Sequence, residues 1–75
     1  MKLKENFPEL LKELIKEKSM TTSELARKAR VTERFIHYLK KGKNKPSFNT
    51  LIQIGVGLNM KSEDTIARFT YGIDS

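Results

Sequence analysis

The residues able to do chemistry in this 75-residue chain are mostly cations, and they are crowded into one stretch. Between Arg27 and Lys45 stand Arg27, Lys28, Arg30, Arg34, Lys40, Lys41, Lys43 and Lys45, against a single acid, Glu33. This stretch carries a net charge of +7 and the whole chain +6, so the remainder sums to −1. Cations gathered in this way attract a polyanion, and such a patch is the electrostatic footprint of nucleic-acid binding. Other chemistries find little material. His37 is the sole histidine, cysteine is absent, and no carboxylate pair has an evident cleft. The chain therefore reads as a non-enzyme, with no catalytic residue, metal site or cofactor expected.

Composition narrows the partner. Residues 1–75 amount to one small domain, burying roughly 60% of its unfolded surface. The lack of cysteine fits a reducing cytosol, so a cytoplasmic location is expected. The stretch Leu51–Leu58 is broken by Gln53 and two glycines, far short of the roughly 20 apolar residues of a membrane span. The opening MKLKENFPEL has charges but no apolar h-region, unlike a signal peptide. A membrane-surface helix is disfavoured because the cations spread over two helices and a loop. A single-strand binder would interleave aromatics with its cations, and Phe35 and Tyr38 alone do not suffice.

The elements that must position these cations are helices. Asn6, with Glu9 three residues on, predicts an N-cap and capping box, and Pro8 suits the first turn. Phe7, Leu10, Leu11, Leu14 and Ile15 form an apolar stripe at helical spacing. Thr21 and Glu24 predict a second capping box, with Met20 stapling onto Leu25. Leu25, Ala26 and Ala29 face inward, Ala26 being small enough for close helix approach. Thr32 caps the third helix, Val31 and Ile36 form its staple, and Ile36 and Leu39 are its buried side with Phe35 beside them. Gly42 suits a left-handed C′ position. After the basic loop 43–46, Ser47 caps a fourth helix with Phe48, Leu51, Ile52, Ile54 and Leu58 as its apolar residues. Gly55 and Gly57 read as points of close packing against helix 1 or 2, and Asn59 as the terminator. A fifth helix follows Ser62, its first-turn Glu63 and Asp64 matching the dipole, its apolar face being Ile66, Phe69 and Ile73. The fold class is all-α: five helices and no strand.

Charge and architecture converge on residues 21–46, TTSELARKARVTERFIHYLKKGKNKP. The combination of xxELAxxAxV with GKxxPSxxTL, followed by IQIGVGLNM, resembles the lambda-repressor-like, Cro-type (XRE) helix-turn-helix family. The resemblance covers about residues 7–66 and places the helix-turn-helix at about 21–41. It implies a compact five-helix DNA-binding domain whose second motif helix enters the major groove while the first braces on the backbone. By position, Thr32–Leu39 becomes the recognition helix, with Glu33, Arg34, His37 and Tyr38 facing bases. Arg34 has two readings, bidentate grip of guanine or a phosphate contact. Glu33 can accept from cytosine or simply match the helix dipole. Tyr38 can meet sugar-phosphate or a thymine methyl, or cap the core edge. Thr22 stands where the family usually has a phosphate-binding Gln, keeping a hydroxyl but losing reach. Lys40, Lys41, Lys43, Asn44 and Lys45 are the further phosphate contacts, with Thr32 and the helix-4 N–H groups of Phe48 and Asn49. Arg30 departs from the family's usual turn Gly, so either the turn differs slightly here or Arg30 takes the left-handed step itself. At φ > 0 it costs on the order of 1 kcal/mol, which a phosphate contact would offset.

The resemblance implies a double-stranded-DNA-binding transcriptional regulator of bacterial or phage type, expected to be a repressor. The competing class is a protein-interaction module such as an antitoxin, with its protein partner unknown. A lone recognition helix reads few base pairs, so a homodimer is expected. Ile66, Phe69, Tyr71 and Ile73 are its candidate interface, spacing the two recognition helices by about 34 Å; the alternative is that Ile66 and Phe69 close the monomer core.

Overall fold

The computed structural model describes residues 2–72. Its helices are α1 (Phe7–Glu17), α2 (Thr22–Ala29), α3 (Glu33–Lys40), α4 (Phe48–Gly57) and α5 (Ser62–Phe69). No strand forms among the described residues; Leu3 and Thr70 make one isolated antiparallel bridge. Among the described residues no helix is long and apolar enough to cross a membrane.

The stripes read from spacing close on one another. Phe7, Leu11, Leu14 and Ile15 of α1, Leu25, Ala26 and Ala29 of α2, and Ile36 and Leu39 of α3 are buried. Leu51, Ile54, Leu58 and Phe69 complete the core. Each fully buried Leu or Ile contributes about 1.5–3 kcal/mol. Helix α2 packs mainly on α4 and α3, α4 also meets α5, and α1 lies against α3 and α5.

The glycines of α4 explain how closely these helices approach. A Cβ on Gly57 would lie 2.9 Å from Leu25 Cδ1 and 3.1 Å from the Ala29 backbone nitrogen, so α2 and α4 are nearly in backbone contact there. Gly55 is different from expectation. Its Cβ would fall 1.9 Å from Thr65 Oγ1, placing its close approach on α5 rather than α1 or α2. Thr65 is itself buried and satisfied, donating to the Lys61 carbonyl at 3.0 Å.

Two expected caps are corrected. Asn6 precedes α1, but its side chain makes no capping bond, because its backbone sits at φ −91°, ψ 22° rather than extended. The expected Asn6–Glu9 box therefore does not form; before the helix, the Phe7 N–H donates to the Lys4 carbonyl at 3.0 Å. In α5, Ser62 is the first helical residue and Lys61 the N-cap, without a side-chain cap.

The arm before α1 is stitched to the segment after α5. The Lys4 N–H donates to the Phe69 carbonyl at 2.9 Å and the Tyr71 N–H to the Lys2 carbonyl at 3.0 Å. The Tyr71 hydroxyl donates to the Glu5 carboxylate. That bond holds the Glu5 carboxyl below its usual range and pushes the Tyr71 phenol up.

Candidate nucleic-acid interface

Helix α3 is held on one side and open on the other. Ile36 and Leu39 are fully buried, whereas Glu33, Arg34 and His37 are exposed and Tyr38 is half-buried. Its start is fixed by Thr32, whose Oγ1 accepts from the Phe35 N–H at 3.0 Å. The hydroxyl proton of Thr32 stays available to an outside acceptor. The helix before it starts on the expected reciprocal box. Glu24 N–H donates to Thr21 Oγ1 at 3.0 Å and Thr21 N–H to Glu24 Oε1 at 3.1 Å.

The turn between α2 and α3 takes the expected left-handed step at Arg30, with φ 60° and ψ 43°. The Val31 N–H reaches back to the Ala26 carbonyl at 3.0 Å, closing the end of α2. Val31 rests half-buried on the core and Thr32 caps α3 at once. The Arg30 side chain is left exposed.

Two pairings organise the exposed surface, and neither is legible as a pairing from residue types. Arg34 stands over the Tyr38 ring, 5.8 Å from its centroid, a cation–π arrangement between neighbours one helical turn apart. Lys40, at the end of α3, donates to Thr22 Oγ1 at 2.9 Å, at the start of α2. Threonine lacks the reach of the Gln usual at that position. With Lys40 against it, the pair still offers two ammonium N–H groups and one hydroxyl proton to an anion.

The loop after α3 carries Lys41, Lys43, Asn44 and Lys45, all exposed, and is anchored by buried Pro46. Ser47 then caps α4, its Oγ accepting from the Thr50 N–H at 3.3 Å. The N–H groups of Phe48 and Asn49 have no partner among the described residues, as befits a helix N-terminus. Among those residues the only ion pair joins Arg68 to Glu17 at 3.3 Å, between α5 and α1. None of the eight cations between Arg27 and Lys45 is neutralised by a carboxylate there. Such a field attracts phosphate and steers its approach.

Of the four residues expected at a dimer interface, three are described, and they do not all reach the surface. Phe69 is fully buried, its ring edge-on to Phe7 at 5.1 Å, so it closes the monomer core rather than offering a surface. Ile66 is half-buried, Tyr71 is 51% exposed, and Ile73 lies outside the described residues. The other large exposed hydrophobics sit on α4. Phe48 is 41% and Val56 59% exposed, with half-buried Ile52 between them at helical spacing. Phe48 and Ile52 belong to the expected apolar side of α4; Val56 does not. An i, i+4, i+8 count from Phe48 is the signal that finds the stripe.

A family model described as a Cro/C1-type helix-turn-helix DNA-binding domain matches residues 10–70. No curated protein matches the chain. Among solved structures, an HTH_3 family transcriptional regulator from Vibrio cholerae is similar with a TM-score of 0.74 and 22% identity. That match covers 83% of this chain and 35% of the other, so the chain spans about a third of that regulator's length. The restriction-modification controller protein C.AhdI from Aeromonas hydrophila gives a TM-score of 0.74 at 17% identity, covering 80% and 91% of the two chains. The clp gene regulator ClgR from Corynebacterium glutamicum gives 0.74 at 23%, covering 85% and 68%. At these identities the structural likenesses establish the fold.

Proposed function

Because this chain belongs to the Cro/C1-type helix-turn-helix DNA-binding family, we propose that it is a sequence-specific regulator of transcription that binds double-stranded DNA in the cytoplasm. It acts as a repressor, occupying an operator and blocking polymerase. One observation carries the reading: α3 has a locked inner face and an open outer face, flanked by cations with no carboxylate partner among the described residues. In this reading Arg34, steadied on Tyr38, reads a base edge together with Glu33 and His37. Thr22, Arg30, Thr32, Lys40, Lys41, Lys43, Asn44, Lys45 and the N–H groups of Phe48 and Asn49 hold the backbone and set the register.

Enrichment of bound sequences from random duplex DNA, with salt titration of the winners, tests this. With roughly 4–6 phosphate contacts per monomer, log K falls against log[salt] with a slope of about −4 or steeper. Arg34→Ala costs about 1–3 kcal/mol at the selected site and relaxes preference at one base pair. An Arg34→Ala loss equal on selected and random duplexes makes Arg34 a phosphate ligand. A slope near zero with no sequence enriched removes the DNA reading and leaves the protein-interaction module.

The regulator works as a two-fold dimer on a palindromic site, with Ile66 and Tyr71 at the interface and the recognition helices about 34 Å apart. Sedimentation with and without operator checks it. A chain monomeric in both states removes the dimer. A dimer that survives Ile66→Ser but is lost with Val56→Ser moves the interface to the α4 stripe.

A further inference from the structure

A cleft of about 600 Å³ lies between the N-terminal arm and the loop leaving α3. Half-buried Leu3 and Pro8 line it together with the buried Phe7 and Pro46, and Lys2, Lys4 and Lys45 line it as well. Its one acid, Glu5, is engaged by the Tyr71 hydroxyl. Asn44 and Lys45, assigned above to the DNA backbone, form part of the wall facing the arm. The arm is not left to wander over this cleft. The Lys4 and Tyr71 N–H bonds, the Leu3–Thr70 bridge and the Tyr71–Glu5 bond dock it to the end of α5. Lys2 adds a loose further tie, its ammonium 5.8 Å from the Tyr71 ring centroid. At that distance on an exposed surface the attraction is weak, so the ammonium can exchange the ring for a phosphate.

We propose that the docked arm is a second grip on the DNA backbone, with Lys2 and Lys4 taking phosphates of the strand already held by Asn44 and Lys45, and Tyr71 as the residue that positions the arm. The inference rests on the DNA-binding reading. The chemistry fits a sugar-phosphate strand on two counts. Its charges need several cations within reach of one strand, and the arm (Lys2, Lys4) and the loop (Lys45) bring theirs to the same cleft. Its deoxyribose faces are apolar enough to lie over half-buried Leu3 and Pro8. Contacts of this kind add affinity and register but no sequence information.

The test is a salt titration of fluorescence anisotropy on a selected duplex and a scrambled duplex of equal length. The Lys2→Gln/Lys4→Gln double variant weakens both duplexes by the same factor and makes the salt slope shallower by about 1.8, which is about 0.9 for each lost phosphate. Lys2→Arg/Lys4→Arg, which keeps the charges, restores the parental slope. Tyr71→Phe, which removes the hydroxyl and keeps the ring, shifts the slope in the same direction as the glutamine variant. A merely structural tyrosine would lower the unfolding temperature and leave the slope alone. An unchanged slope in the glutamine variant, with a parent that binds steeply, overturns the arm's role. An unchanged slope in Tyr71→Phe overturns the positioning role. A parent without salt dependence fails at the earlier step, the DNA reading itself.

Discussion

The chain enters α3 and leaves it through the same backbone device, yet the two connections do opposite things. At the end of α2, Val31 N–H bonds to the Ala26 carbonyl at 3.0 Å and Arg30 N–H to the Arg27 carbonyl at 3.3 Å. At the end of α3, Lys43 N–H bonds to the Tyr38 carbonyl at 2.9 Å and Gly42 N–H to the Leu39 carbonyl at 3.2 Å. Arg30 at φ 60° and Gly42 at φ 74° take the left-handed step. Both ends are Schellman motifs. The two connections part at the residue after the left-handed one. Val31 packs on the core, and the very next residue, Thr32, caps a new helix. Lys43 faces solvent, and Asn44, Lys45 and Pro46 intervene before Ser47 can cap α4. The connections from α1 to α2 and α4 to α5 share the first pattern, with Ser19–Met20 and Asn59–Met60 in place of Arg30–Val31. In each, one half-buried hydrophobic residue closes the old helix and precedes the cap of the next. Where that residue is a lysine, the chain runs into solvent and forms a basic loop. The exception stands directly after α3.

Exchanging the two residues tests this most severely. Val31→Lys removes a core anchor shared by two helices and costs about 2 kcal/mol in urea denaturation. Lys43→Val leaves stability within about 0.5 kcal/mol. It weakens all duplexes alike and makes the salt slope shallower by about 0.9. Equal losses of stability in the two variants would break the comparison, since both connections would then be anchored alike.

The contrast also marks what can be read from residues alone. Thr21 with Glu24, Thr32, Ser47 and Gly42 are legible because each acts within a few residues of itself, whereas the left-handed step at Arg30 is legible only through the family resemblance. A cap or a glycine at a φ > 0 step carries its signal in local chemistry. Features set by packing between distant segments escape such a reading. Lys40 meets Thr22 across 18 residues, and Tyr71 meets Glu5 across 66. Asn6 fails as a cap in a structure where the arm before it is drawn onto the Phe69–Tyr71 backbone. Phe69 reads either as a dimer contact or as part of the monomer core, because nothing near it in sequence reveals the Phe7 ring against it. Gly55 signals a close approach correctly, but its partner, Thr65, depends on where α5 lies.

The left-handed residues themselves provide the next comparison. Gly42→Ala loses about 1 kcal/mol, because a Cβ at φ 74° is strained. Space is not the obstacle, since the nearest atom, Pro8 Cγ, would be 3.5 Å away. Full stability retained in urea denaturation would show that the end of α3 relaxes out of the left-handed region.

Arg30→Gly runs in the other direction and is smaller. Relieving the left-handed strain contributes about 1 kcal/mol, but glycine also gains freedom in the unfolded chain, worth about 0.4–1 kcal/mol. The net is a stabilisation of about 0.5 kcal/mol or less, read as a small rise in unfolding temperature. If Arg30 holds a phosphate, the same change weakens DNA binding, with a salt slope shallower by about 0.9. The two readouts then move in opposite senses, and that opposition is the signature of a strained residue kept for its charge. A gain in stability with an unchanged slope would mean the arginine touches no phosphate, leaving its strain without a functional counterpart. A loss of stability would mean that the Arg30 side chain contributes packing beyond what its exposure suggests, and that the turn into α3 is held by more than Val31.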